Sequence, residues 1–130
     1  MEINYLNIEE VIFIHNEILR LSWWLEWTKN LWQLESVLEH IKNNIYYKDF
    51  FEKAGHLFFW IIKFHCFNDW NKRTAIITLD QFFKINWIII EDFWIKMEDI
   101  AIWVAENEIS KIELQKIFKS MLLSFWYKLT

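Results

Sequence analysis

The chain predicts an all-α, compact bundle of about six helices, and three observations carry that prediction. Apolar residues recur at three- and four-residue spacing along most of its 130 residues, strand-like alternation is nearly absent, and capping pairs precede several of the periodic runs. Asn7-Ile8-Glu9-Glu10 is the first such pair, and Ile8, Val11, Ile12, Ile18 and Leu19 follow it at helical spacing, which predicts a helix over 8–21. Residues 22–30 read as a loop. Leu31, Leu34, Leu38 and Ile41 mark a second helix, and 42–48 is polar and turn-like. Asp49-Phe50-Phe51-Glu52 caps a third, whose inner face would be Phe50, Ala54, Leu57, Phe58, Ile61 and Ile62. A fourth runs over 71–83, and 84–95 is irregular with a short extended piece at 88–90. Residues 97–106 form a fifth. Ser110-Lys111-Ile112-Glu113 caps a sixth that carries Leu114, Ile117, Phe118, Met121 and Leu122.

Composition bounds the function. At 55% hydrophobic and 25% charged, the chain can bury a core and reads as one domain over 1–130. The net charge of −4 argues against a broadly basic nucleic-acid binder, so no direct nucleic-acid partner is expected. No apolar run reaches the roughly 18 residues of a membrane span, and the first residues do not resemble a signal peptide, so a cytoplasmic protein is expected. A lone cysteine, Cys66, excludes an internal disulfide and any multi-cysteine zinc site.

The glycine and tryptophan counts are abnormal. Ordinary usage is roughly 7% glycine, about nine in a chain this long. This chain has one glycine, no proline and ten tryptophans. Trp23, Trp24 and Trp27 fall in a polar loop, Trp32 precedes a helical run, and Trp87 follows Ile85-Asn86, where a turn wants glycine. The rest is rich in Ile, Lys, Asn and Phe and poor in Arg, Ala and Pro, as in an AT-rich coding sequence. These features suggest UGA codons that the cell reads as glycine, written here as tryptophan. UGG at those positions would sink the idea; the alternative is a protein that packs its loops with tryptophan.

The chemistry-bearing run is His65-Cys66-Phe67-Asn68-Asp69-Trp70-Asn71-Lys72-Arg73-Thr74-Ala75, between the third and fourth helices. A helix starting there presents free N–H groups and the positive end of its dipole, an anion site to which Lys72 and Arg73 add cationic donors. Asp69 offers hard oxygen ligands to a Mg²⁺ ion bridging phosphates. His65 titrates near neutrality and can take a proton from an attacking hydroxyl. Phe67 is the expected inward anchor. Base, metal ligand and phosphate cradle together describe phosphoryl or nucleotidyl transfer. The same residues serve equally well as a capping loop, with Asp and Asn satisfying N–H groups while Lys and Arg face solvent.

The run resembles the signature of the Fic/Doc (Fido) superfamily in its Doc, or death-on-curing, form. The likeness extends to Tyr5-Leu6-Asn7-Ile8-Glu9-Glu10-Val11 with His15, to 22–36 if its tryptophans are read as glycine, to Glu52-Lys53-Ala54 and to Val104-Ala105-Glu106-Asn107. The resemblance implies the Fido fold, ATP and Mg²⁺, with His65 as general base, Asp69 as magnesium ligand, Asn71 as a phosphate or loop positioner, and Lys72 and Arg73 on the nucleotide phosphates. Adenylyl-transferring Fic proteins carry glycine where Lys72 stands and a second arginine where Ile76 stands. Both departures are similar to Doc-type toxins, which transfer the γ-phosphate of ATP to a translation elongation factor, elongation factor Tu, and are held by an antitoxin partner. Three readings follow: a Doc-like kinase, an adenylyl (AMP) transferase, and a catalytically silent interaction module. The last draws on Trp70, which occupies the family's glycine slot beside the phosphate and would crowd it.

His15, His40 and His56 show no His-Glu-x-x-His spacing and are expected to be solvated or locally bonded, not metal ligands. Tyr46 and Tyr47 fall where Fic-like proteins have a substrate-docking flap, and either partner binding or burial at the bundle's edge fits them.

Overall fold

The computed structural model describes residues 2–13, 16, 31–63 and 71–129, and every described element of regular structure is helical. Residues 8–13 form α1. Its N-terminus carries the predicted capping box: the Glu10 N–H donates to Asn7 Oδ1 at 2.9 Å, and the Asn7 N–H donates to Glu10 Oε1 at 3.3 Å. Leu6 and Val11, which flank the cap at the staple positions, are both buried. The expected continuation of this helix to residue 21 and the loop at 22–30 lie almost wholly outside the described residues.

Helix α2 spans Leu31–His40 and feeds Val37 and Leu38 into the core. The following turn is closed by Asn43, whose Oδ1 accepts the N–H groups of Ile45 (2.8 Å) and Tyr46 (3.2 Å). That side-chain mimic of a backbone turn is the usual service of asparagine here.

Helix α3, Phe50–Lys63, is the axis of the bundle and packs against α2, α4, α5 and α6. It starts at Asp49, whose Oδ1 accepts the Glu52 N–H at 2.8 Å. All six residues predicted for its inner face are buried, and so are Lys53, Gly55 and His56. A helix enclosed on several sides needs more than one apolar stripe, which is why its burial exceeds the expected face. Gly55 lets α6 come close: a Cβ there would stand 2.7 Å from Gln115 Cγ.

Helix α4 runs Asn71–Ile85, two residues beyond the expected end. Phe82 stacks on Phe50, with ring centroids 4.9 Å apart, and Phe83 lies among Phe50, Phe93 and Phe118. The extended piece expected at 88–90 forms no strand. Helix α5, Phe93–Ala105, begins four residues earlier than the sequence predicts. The reason is tertiary: Asp92 takes a left-handed conformation (φ 55°) with no side-chain cap, and Phe93 is buried against Phe83. Helix α6, Lys111–Leu129, follows its predicted box, with Glu113 N–H on Ser110 Oγ and Ser110 N–H on Glu113 Oε1, both at 3.1 Å. Leu114, Phe118 and Leu122 are its buried seam. No helix among the described residues is long and apolar enough to cross a membrane.

Candidate active site

The α3–α4 pair flanks the motif in the sequence. Helix α3 is described to Lys63, α4 opens at Asn71, and the two helices pack on each other. His65, Phe67, Asp69 and Trp70 lie outside the described residues, as does Cys66. Asn71 opens α4, and Lys72 and Arg73 are exposed in its first turn. The described part of the motif, from Asn71 on, thus stands at the start of α4.

Burial fixes the rotation of that first turn. Thr74, Ala75 and Ile76 are sunk in the core at 0%, 0% and 2% exposure. With those three residues inward, Lys72 and Arg73 are left outward at the helix start, at the positive end of the helix dipole. Ile76, at the position of a second arginine in adenylyl-transferring relatives, is part of the hydrophobic core instead.

A third segment reaches the same end. Lys63 donates from Nζ to Asn107 Oδ1, which ties the α5–α6 turn to the last turn of α3, and its ammonium lies 5.6 Å from the Phe59 ring centre. The stretch Val104-Ala105-Glu106-Asn107 is thus held near the end of α3 that leads into the motif. By contrast, a cavity of about 470 Å³ lined by Ile89, Ile90, Lys96, Ile117, Met121 and Phe125 sits beside the chain that leaves the other end of α4. Fifteen helical residues, about 22 Å, separate the two ends.

Two polar residues on α3 are more deeply buried than the sequence suggests. Lys53 is fully buried; its Nζ donates to the Ile41 carbonyl and, at 2.9 Å, to Asn44 Oδ1, and it stands 5.5 Å from the centre of the Tyr5 ring. Its spacing, three residues after Phe50 and four before Leu57, was the available signal, because it puts Lys53 on the apolar stripe. His56 is 6% exposed, with Tyr47 Oη 3.3 Å from Nε2 and Lys111 Nζ 3.4 Å from Nδ1. An ammonium can only donate, so Nδ1 accepts and Nε2 carries the proton toward Tyr47. Burial, then the charges of Lys111 and His40, lower the His56 pKa to about 4, and burial raises that of Tyr47. His56 is thus locally bonded, as expected, while Tyr47 packs at 4.4 Å on its ring and Tyr46 is 75% exposed. The described residues contain no cluster suited to a metal ion. His56 lies two helical turns before Lys63 and braces α3 against α6.

No curated protein matches the chain. A family model, Fic/DOC family, matches residues 5–83, which spans the helices that hold the motif and the motif itself. Members of that family generally transfer nucleotide-derived groups to proteins. With more than half its length matched, the chain belongs to the Fic/DOC family.

Proposed function

We propose that the protein is a Doc-like toxin that transfers the γ-phosphate of ATP to a hydroxyl of a protein target, and that an antitoxin partner holds it in check. The observation that carries this reading is the make-up of the first turns of α4: Lys72 and Arg73 stand exposed at the helix start, and an aliphatic Ile76 is buried where adenylyl transfer would call for a second arginine. That set of donors grips one end of a triphosphate and lacks the second guanidinium.

In this reading His65 accepts the proton of the target hydroxyl as its oxygen bonds to the γ-phosphorus and ADP departs. Lys72 and Arg73 hold phosphate oxygens, Asn71 positions the loop, and Phe67 anchors it. Asp69 would hold Mg²⁺, which supplies charge neutralisation across the phosphates. The target class is a translation elongation factor, elongation factor Tu by family likeness, and the site of action is the cytoplasm.

The test is label transfer in a bacterial lysate with Mg²⁺ and ATP labelled at either the α or the γ phosphate. The enzyme is the Trp70→Gly variant, with His65→Ala added as control. His65-dependent label from γ is expected. Label from α would replace the kinase with an adenylyl transferase, and label from neither would favour a silent interaction module.

A further inference from the structure

Two helices of this protein end in the same backbone motif, and the residue at its left-handed centre sets them apart. At the end of α5 the Glu108 N–H donates to the Trp103 carbonyl (2.8 Å) and the Asn107 N–H to the Val104 carbonyl (3.2 Å), with Asn107 at φ 62°. At the end of α4 the Ile88 N–H donates to the Phe83 carbonyl (2.9 Å) and the Trp87 N–H to the Lys84 carbonyl (3.0 Å), with Trp87 at φ 66°. This paired closure requires a left-handed residue at its centre, a place for glycine and, next, asparagine. Asn107 obeys that rule. Trp87 violates it.

Nothing offsets the strain at Trp87, whose side chain is 86% exposed and gains no burial for holding a conformation that a Cβ disfavours. Other tryptophans differ. Trp94 sits in helical backbone and donates to Glu98 Oε1 at 2.7 Å, and Trp60 packs beside His56 in α3. The backbone therefore singles out position 87, independently of composition.

We infer that positions 87 and 70 are glycines in the protein its own cell makes, both specified by UGA, so that the phosphate loop is open where the written sequence puts an indole. Position 87 supplies the structural warrant. Position 70 joins it because it stands in the family's glycine slot and one reading of UGA serves every UGA codon, and its consequence for the phosphate cradle rests on the nucleotide-site reading above. A glycine after Asn86 then ends α4 without strain, and a glycine before Asn71 lets backbone N–H groups close on a phosphate.

The test uses the protein purified from its own cells and digested with trypsin, with the masses read of the peptides spanning 64–72 and 85–96. Glycine at both 70 and 87 is expected, and tryptophan at either overturns the inference. A second measurement compares Tm for the chain as written with Trp87→Gly and Trp87→Ala. Glycine should raise Tm by roughly 3–6 °C and alanine, which keeps a Cβ, by much less. Equal effects would show that losing the exposed indole, not the backbone conformation, matters, and would remove the structural warrant. Peptides with glycine at 70 together with no ATP binding by Trp70→Gly would uphold the inference and defeat the nucleotide reading.

Discussion

Asn86 and Asn4 clasp one another across most of the sequence. The Asn4 N–H donates to Asn86 Oδ1 at 2.8 Å, and Asn86 Nδ2 donates to the Asn4 carbonyl at 2.9 Å and to the Phe82 carbonyl at 2.8 Å. Asn86 is 3% exposed, so one buried amide both closes α4 and pins the segment that leads into α1. Replacing it with leucine keeps the bulk and removes the three bonds. We expect Asn86→Leu to cost about 2 kcal/mol, since net contributions near 1 kcal/mol each are partly recovered by water at the exposed Asn4. Urea unfolding checks this, and a loss under 0.5 kcal/mol, a rough floor for one such bond, would mean that the clasp contributes little.

His56 predicts a pH dependence with a definite sign. Its folded pKa is near 4, below the ordinary 6.5, so the unfolded chain binds the proton more readily between those values. Stability is therefore full above pH 6.5, falls as pH drops toward 4, and flattens below for this group. With allowance for partial solvation the loss is on the order of 2 kcal/mol. Carboxylates titrate in the same window, so the measurement is the difference between the protein and His56→Gln. A pH-independent difference between the two would contradict neutral burial.

Local chemistry explains what the sequence made legible. The boxes at Asn7/Glu10 and Ser110/Glu113 are three-residue devices and appear where the string places them. The start of α5 was not legible because Asp92 supplies no cap, and the helix is set by Phe93 meeting Phe83. Lys53 was missed for a similar reason: its acceptors, Ile41 and Asn44, come from the turn after α2, and no local rule pairs them. The candidate site is the reverse case. Its expected residues are a contiguous string, of which His65 to Trp70 lie outside the described residues, while the packing of Thr74, Ala75 and Ile76, which turns Lys72 and Arg73 outward, emerges only from the fold.

Thr78 is fully buried, and its hydroxyl finds no hydrogen-bond partner among the described residues. Thr78→Val preserves the shape and removes an unsatisfied polar atom, so we expect a gain of about 1 kcal/mol in chemical denaturation. Destabilisation by the valine would indicate that the hydroxyl bonds to something in the folded protein, such as an internal water.

Position 76 tests whether packing alone keeps a second arginine out of the first turns of α4. Ile76 is 2% exposed and belongs to the core that holds α4 on α3. An arginine introduced there must either bury a guanidinium without a partner or rotate the first turn of α4 and expose Thr74 and Ala75. Both routes are expensive, and Ile76→Arg should lose roughly 3–5 kcal/mol, enough to drop Tm sharply. Ile76→Val, which only trims a methyl, should lose about 1 kcal/mol. The pair separates volume from charge. If Ile76→Arg folds with nearly native Tm, position 76 can face the phosphate side, and the absence of a second arginine is then a choice of sequence that packing does not impose. If it unfolds while the valine variant stands, the core itself excludes the second guanidinium, and Lys72 with Arg73 is the full cationic complement that α4 can offer a nucleotide.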